Sequence, residues 1–221
     1  MELYKKYCCV ILGLFYFCFN QQLIAQSTYL INYNFIPQNV SYPTINNREV
    51  FYQKEYIKQL LFNDTLSFNC FLEKDKNIFA EFEKLGKKRT LVHNTLTLFN
   101  QDNLFEISCW PIVKKDYLVF DTLKNYNWVI DSSEKYFLDF HCKEAFSLIN
   151  TTDTLFILYT TELQQPFGPT YHHNSPGVVL EAYDQYMQQY FIATKIEKVD
   201  YNMKLPSDKI LLSRKDYLKR K

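Results

Sequence analysis

Apolar and polar residues alternate with a period of two along most of the chain, and this pattern constrains the fold more than any other feature. Every second residue from Tyr29 to Phe35 is apolar, and Asn32 and Asn34 fall between them. Period two places alternate side chains on opposite faces of a strand. The same pattern predicts further strands at about 91–99, 104–110, 116–123, 126–131, 135–143, 154–162, 177–183 and 189–198.

The connections between these segments are rich in Asn, Asp and Ser, for example at 100–103, 131–133 and 150–153. These residues form turns because their side chains bond the nearby backbone. Short strands joined by tight turns favour antiparallel pairing over βαβ units, and the 18% aromatic content fits strands. The sequence therefore predicts a mainly β fold, with a single antiparallel sheet that is curved or partly closed into a barrel, and one or two short helices.

One short helix is predicted at 74–86, where Ile78, Phe79, Phe82 and Leu85 share a face and Gly86 stands at the C-cap position. Residues 47–62 mix helical and strand spacing, so they remain open between the two. No repeat or Pro/Gly-rich linker divides 26–221, which we interpret as one domain. Its basic end, 209–221, is expected to be a frayed, solvated tail.

The N-terminus has the order of a cleavable export signal over residues 1–25. Lys5 and Lys6 precede an apolar run of about 12 residues, and small Ala25 stands before the expected cut. That run is shorter than the roughly 20 residues that span a bilayer. An uncleaved anchor, or a lipoprotein modified at Cys18, are the alternatives. The mature protein is expected to be periplasmic, outer-membrane-associated or secreted, with no integral membrane span.

The composition excludes two classes of function. The full sequence has 25 basic and 24 acidic residues. Removing residues 1–25 takes away Lys5, Lys6 and Glu2, so the remaining chain has equal numbers of basic and acidic residues. A neutral chain gives no electrostatic footprint for nucleic acid. Of the four glycines in the sequence, three would remain after cleavage, at positions 86, 168 and 177. No short segment therefore has the two or three glycines that a Gly-rich phosphate loop needs. No cofactor is indicated.

Three cysteines lie in the expected mature chain, at Cys70, Cys109 and Cys142. One disulfide with a spare thiol, or three buried thiols, are both compatible with this odd number. Cys109 could bridge Cys142 if their strands were neighbours. Cys142 falls on the more apolar face of the predicted strand 135–143, which favours a structural thiol over a catalytic one.

His172 and His173 form the only histidine pair. In a loop both rings could turn towards one metal ion, with Glu162, Glu181 or Asp184 as a third ligand. No HExxH or His-x-His spacing accompanies them, so exposed loop histidines without a metal are the simpler interpretation. No GxSxG motif is present, and no catalytic residues are assigned.

The stretch 117–183 carries a family resemblance. It contains a Trp128 strand, a Cys-x-x-Ala segment beginning at Cys142, a Leu-Tyr-Thr stretch at 158–160 and the pair Gly168-Pro169. A motif at 174–179 follows, in which Pro176 and Gly177 remain. In this order the chain resembles the GLPGLI family, exported proteins of Bacteroidetes with unestablished function. The drift of the other motif positions leaves open whether a family function has been lost.

The surviving motif positions have a structural explanation. Gly168-Pro169 can set a sharp turn, and Pro176-Gly177 fits the central pair of a type II turn. Alternatively, the loop 164–177 forms a binding rim. We therefore predict a non-enzymatic binding or interaction module for an apolar or peptide-like ligand or an envelope partner. A metal-binding protein or metal-dependent enzyme using His172 and His173 is the alternative.

Overall fold

The computed structural model describes residues 27–37, 56–73, 75–85, 95–100, 103–112, 115–123, 125–149, 151–163, 165–170, 172–205 and 209–220. The predicted signal at 1–25, the C-cap Gly86 and the uncertain stretch before residue 56 lie outside these ranges. Within them, no helix is both long and apolar enough to cross a membrane.

Within the described ranges, twelve strands form one sheet, which confirms the mainly β prediction. The strands are β1 (Thr28–Pro37), β2 (Tyr56–Phe62), β3 (Leu66–Glu73), β4 (Thr95–Asn100), β5 (Asn103–Ile112), β6 (Lys115–Thr122), β7 (Val129–Phe137), β8 (Phe140–Leu148), β9 (Thr154–Thr160), β10 (Val178–Asp184), β11 (Gln189–Val199) and β12 (Ile210–Ser213). The helices are α1 (Ile78–Glu83) and α2 (Arg214–Leu218). Residues 56–62, which the sequence left open, form strand β2.

The spatial order is β12-β6-β5-β4-β3-β2-β1-β11-β10-β9-β8-β7. Strand β1 lies in the middle, and β2 to β6 extend by antiparallel neighbours towards one edge. The chain then crosses to the opposite edge, where β7 begins, and β7 to β11 return to pair with β1. The sheet keeps two edges, at β7 and β12, and is not closed into a barrel.

The C-terminal segment differs from its prediction in two ways. Strand β12 pairs in parallel with β6, so the sheet is not wholly antiparallel. The frayed tail is also wrong for residues 209–220, because α2 buries Tyr217 (3% exposed) against Tyr117, with ring centroids 6.3 Å apart. Arg214 adds a 3.0 Å ion pair with Asp121. The open edge of β6 and this aromatic contact together hold the tail.

The predicted strand 135–143 is wrong, because the chain reverses within it. Leu138 and Asp139 have φ values of 49° and 66° and form the tight turn between β7 and β8. Such positive values are uncommon outside glycine, so Leu138 carries no turn signal at the level of sequence. The strand order separates Cys142 from Cys109, because β8 pairs with β7 and β9 whereas β5 pairs with β4 and β6.

The sheet carries apolar cores on both faces. The first core lies on what we call the inner face of β7–β11, where it buries Phe191, and continues over β1 and β2, where it buries Tyr33 and Leu60. The second lies under α1 and buries Phe68, Leu96 and Phe82. Helix α1 lies within the predicted stretch 74–86 but begins only at Ile78, where the side chain of Asn77 caps it by accepting from the Phe79 amide at 2.9 Å. Together, the two cores leave the other face of β7–β11, the outer face, available.

Candidate functional site: a groove on the outer face

Apolar side chains form a row across the outer face of β7–β11 and onto the neighbouring strand β1. The register pairs Phe146 with Phe156, Phe156 with Tyr183, and Tyr183 with Tyr190. Val129 pairs with Phe146 at one end, and Ile36 pairs with Tyr190 at the other. Paired residues of adjacent antiparallel strands share a face. The members of this outer row are Val129, Phe146, Phe156, Tyr183, Tyr190 and Ile36.

The four rings of the outer row lie within contact of one another. Successive centroids are 6.3, 6.3 and 6.4 Å apart, from Phe146 through Phe156 and Tyr183 to Tyr190. Phe146 remains 37% exposed and Phe156 46% exposed. A contiguous exposed apolar patch of this kind is typical of a binding surface, whereas single exposed apolar residues need no explanation.

A second row, next to the aromatic one, carries charge. Glu144 on β8 pairs with Leu158 on β9, and Leu158 pairs with Glu181 on β10. Lys135 reaches from β7, with Nζ 3.0 Å from Glu144 Oε1 and 3.9 Å from Glu181 Oε2. Burial alone would lower the pKa of Lys135, but the two carboxylates outweigh it and raise that pKa. The ammonium is therefore held in its charged form between the two acids.

The hydroxyl of Tyr190 joins the two rows. It donates to Glu181 Oε2 at 3.3 Å. Burial and the neighbouring Glu181 raise the pKa of Tyr190, so the phenol stays protonated and the carboxylate stays an acceptor. The side chain of Glu181 is only 20% exposed, which makes it the more deeply placed of the two acids.

These side chains enclose a groove of about 420 Å³, which we call the outer groove. It is lined by Lys135, Glu144, Phe156, Glu181, Tyr183 and Tyr190, and also by Asp131. The volume lies within the range of small-ligand sites, about 300–1,000 Å³, and the mixture of apolar walls with a few polar groups is typical of them.

Strand β7 borders the groove and is an edge of the sheet. Its residues 129–136 are exposed, and a bulge between Ile130 and Glu134 interrupts its pairing with β8. Within the bulge, Asp131 Oδ1 accepts from the Ser133 amide at 2.8 Å. Bulges commonly occur at sheet edges and next to binding sites, where they re-aim side chains.

The residues singled out from the sequence lie elsewhere, in the loop 165–177 and its surroundings. This loop packs on the inner face, where Phe167 (1% exposed) contacts Phe62 with centroids 6.1 Å apart. Asn69 of β3 fixes it from both sides: its Nδ2 donates to the Gly168 carbonyl at 2.9 Å, and its Oδ1 accepts from the Thr170 amide at 3.3 Å. That the loop also forms a binding rim stays a prediction.

Packing, not turn geometry, explains the two motif glycines. A Cβ at Gly168 would clash with the His172 carbonyl oxygen and come 2.9 Å from Val179 Cγ2. A Cβ at Gly177 would clash with the Thr160 carbonyl. Neither glycine has a φ between +20° and +160°, so the predicted type II turn at Pro176-Gly177, which needs a φ of about +80° at the glycine, is wrong.

The two histidines are buried, so the expectation of exposed loop histidines is wrong. His172 is 0% and His173 is 7% exposed, because the loop turns back onto the sheet. The Nδ1 of His172 donates to the Pro169 carbonyl at 2.7 Å. Burial lowers the pKa of His172 to about 4 against the opposing effect of that carbonyl, and His173 and Lys58 lower it further. His172 is therefore neutral at neutral pH.

The described residues contain no group of three His, Cys, Asp or Glu side chains placed to hold a metal ion. His172 also uses one ring nitrogen for the Pro169 carbonyl. Metal binding by His172 and His173 stays a prediction that this geometry does not favour.

Trp128 and Cys142 take part in the same first core. Trp128 lies just before β7. The ring of Tyr126 lies between Trp128 and the loop: its centroid is 5.9 Å from that of Trp128 and 5.6 Å from that of His173. Cys142 is a buried thiol, as is Cys70. Burial raises the pKa of the Cys142 thiol to about 11, which makes it a poor nucleophile. Both motif positions therefore contribute to the packing of the core.

Lys58 is an unusual member of the first core. It is 0% exposed, and its Nζ lies 4.5 Å from the centroid of the Phe71 ring. Burial lowers its pKa to about 7. Sequence reasoning missed this residue because its place in β2 fell within the stretch that could not be assigned.

The outer groove was missed for a different reason. The alternation places Phe146, Phe156 and Tyr183 on one face of each strand, but only the register brings them into one row. That register is set by the pairing of β8 with β9 and of β9 with β10, which the alternation within a single strand does not reveal.

Comparison with known proteins yields structural likeness only. No family model matches the chain, and no curated protein matches it. Two crystal structures of PNGF-II, in space groups C2 and P21, match with TM-scores of 0.56 and 0.59 at 16% and 14% identity. They cover 85% and 87% of this chain but 31% and 32% of theirs, so the chain spans about a third of PNGF-II. This likeness concerns the fold alone.

An uncharacterised conserved protein from Thermus thermophilus also matches, with a TM-score of 0.37 at 8% identity over 86% of this chain and 91% of that one. No inference rests on it. The resemblance to the GLPGLI family stays a prediction.

Proposed function

We propose that the protein is an exported, non-enzymatic binding module. Its ligand is a peptide-like segment, either free or carried by a partner in the cell envelope, and it lies in the outer groove. The observation that carries this proposal is the outer row, in which Phe146 and Phe156 stay 37% and 46% exposed beside a groove of about 420 Å³. Burying such side chains on binding yields about 25 cal/mol per Å² of apolar area.

A peptide-like ligand fits this site better than a purely apolar one for two reasons. Lys135, Glu144 and Glu181 would remain poorly solvated under an apolar ligand that could not hydrogen-bond them. The groove also borders the edge strand β7, whose outer side has no strand partner among the described residues. An extended peptide can pair with such an edge while its side chains enter an adjacent groove.

Export rests on the sequence of residues 1–25 and on the family resemblance. The thiols of Cys70 and Cys142 are buried in the second and first cores, respectively, and are compatible with an exported protein whose stability does not depend on a disulfide between them.

The proposal is tested with an array of random capped heptapeptides, probed with the protein expressed from the full-length sequence. The double variant Phe156→Ala, Tyr183→Ala removes the centre of the outer row. The matched control is Tyr136→Ala, because Tyr136 is 79% exposed and lies outside the groove. We expect the wild type and the control to select the same peptides and the double variant to lose them.

Circular dichroism verifies that all three proteins are folded. A double variant that selects the same peptides as the wild type would refute the groove as the site. An array on which no peptide is selected would refute peptide binding itself.

A further inference from the structure

The outer groove is acidic as well as aromatic, and this combination indicates the charge of its occupant. Asp131, Glu144 and Glu181 contribute three carboxylates, against the single ammonium of Lys135. Carboxylates next to aromatic faces form the typical surroundings of a bound cation, which gains from both the charge and the ring quadrupole.

The chain already places a cation in this site. Lys135 reaches across from the edge strand β7 and lies 3.0 Å from Glu144 and 3.9 Å from Glu181. Its side chain and that of Glu144 are 47% and 48% exposed. Such exposed ion pairs contribute about 0–1 kcal/mol, so an incoming cation can replace Lys135 at little cost, and its flexible stem can turn out into solvent.

We propose that the outer groove recognises an arginine side chain of a peptide, and that Lys135 occupies the place of that arginine in the unbound protein. This inference rests on the proposed function, because it names the ligand chemistry of the same groove. Arginine suits the site better than lysine because its planar guanidinium can bond a carboxylate with two hydrogens and stack on an aromatic face at once. Glu181 supplies the carboxylate, and the rings of Tyr183 and Tyr190 lie beside it.

The position of Glu181 makes it the principal anion. It is 20% exposed, compared with 48% for Glu144, and a partly desolvated carboxylate interacts more strongly with a cation. Tyr190 already donates to Glu181 Oε2 at 3.3 Å, which orients the carboxylate before a ligand arrives.

The test compares two capped tripeptides by isothermal titration calorimetry at low salt. One has arginine between two phenylalanines, and the other has citrulline, a neutral isostere, in its place. We expect the arginine peptide to bind about tenfold more tightly, which corresponds to about 1.4 kcal/mol. Glu181→Gln should remove this preference, and Lys135→Met should strengthen binding of the arginine peptide.

Two substitutions serve as matched controls. Glu134 and Lys143 pair with each other at 3.0 Å on β7 and β8 but do not line the groove. Glu134→Gln and Lys143→Met should therefore leave the affinity for both peptides unchanged.

The outcomes separate this inference from the proposed function. Equal affinity for both peptides, lost in the Phe156→Ala, Tyr183→Ala variant, would refute arginine recognition and leave peptide binding standing. Absence of binding by either peptide would overturn arginine recognition, while the peptide array decides the broader proposal. Weaker binding by Lys135→Met would show that Lys135 takes part in binding and does not compete with the ligand.

Discussion

Replacing Lys58 with methionine should stabilise the protein at neutral pH and reduce the pH dependence of its stability. Lys58 is 0% exposed in the first core. Burial lowers its pKa from 10.5 to about 7, and at about 1.36 kcal/mol per pH unit this corresponds to a penalty of about 5 kcal/mol for the charged ammonium. Methionine keeps the length and most of the volume of the side chain without the charge.

The sign follows from proton binding. Between about pH 7 and 10.5 the unfolded chain holds the Lys58 proton and the folded protein does not. The contribution of Lys58 to the free energy of unfolding therefore rises with pH in this window. Below about pH 7 both states are protonated, so the folded protein carries the full penalty. From pH 7 to 9 we expect the wild type to gain about 2–3 kcal/mol relative to Lys58→Met.

At pH 7 the variant should be more stable by about 1–4 kcal/mol, which is the range found when buried ion pairs are replaced by apolar residues of similar volume. The lower part of that range applies if the contact of Lys58 with the Phe71 ring, at 4.5 Å, offsets part of the penalty.

Urea unfolding at pH 7, 8 and 9, followed by tryptophan fluorescence and circular dichroism, measures these differences. His172 does not interfere, because burial lowers its pKa to about 4. Lys195→Met is the matched control, since the Lys195 side chain is 60% exposed, and its curve should remain parallel to that of the wild type. Parallel curves for the wild type and Lys58→Met would refute the reasoning, because Lys58 would then keep its charge in the core.

Three further predictions concern the loop, the N-terminus and the histidines. Gly177→Ala should destabilise the protein by about 1–3 kcal/mol, because the new methyl group meets the Thr160 carbonyl; an unchanged urea midpoint would contradict the close packing. Protein recovered from the envelope or medium of an expressing two-membrane bacterium should begin just after Ala25, and N-terminal sequencing that finds the intact signal would contradict cleavage. Purified protein should carry zinc and copper only in substoichiometric amounts, and stoichiometric metal that disappears in a His172→Ala, His173→Ala variant would support the metal hypothesis instead.

The fold class could be predicted from the sequence because apolar and polar residues alternate within individual strands. The segments beginning near residues 28, 154 and 189 agree with β1, β9 and β11. Helix α1 could be predicted as well, since its apolar face lies within one short stretch, although its N-cap at Asn77 was not recognised. Such local signals do not depend on the rest of the chain.

Features that depend on contacts between distant parts of the chain could not be predicted from the sequence. The turn at Leu138 and Asp139 adopts positive φ without glycine or asparagine. The pairing of β7 with β8 therefore determines the conformation of this turn. Likewise, β12 forms because the edge of β6 is open to it, although it lies almost 90 residues further along the chain. The predicted frayed tail failed for this reason.

The candidate site illustrates the same limit. The motif residues Gly168, Gly177 and His172 stand out in the sequence, yet they serve the packing of the loop 165–177. Phe156 and Glu181 look like ordinary strand residues. They form a site only because the register places them in adjacent rows beside Lys135.

Amide chemical-shift mapping tests the outer groove most directly. The uniformly ¹⁵N-labelled protein is titrated with the capped tripeptide that has arginine between two phenylalanines, and two-dimensional spectra are recorded at each step. The largest changes should fall on Glu144, Phe156, Glu181 and Tyr183, and they should saturate with the ligand. Changes centred on the loop 165–177, or spectra that stay the same throughout the titration, would contradict the outer groove as the binding site for this peptide.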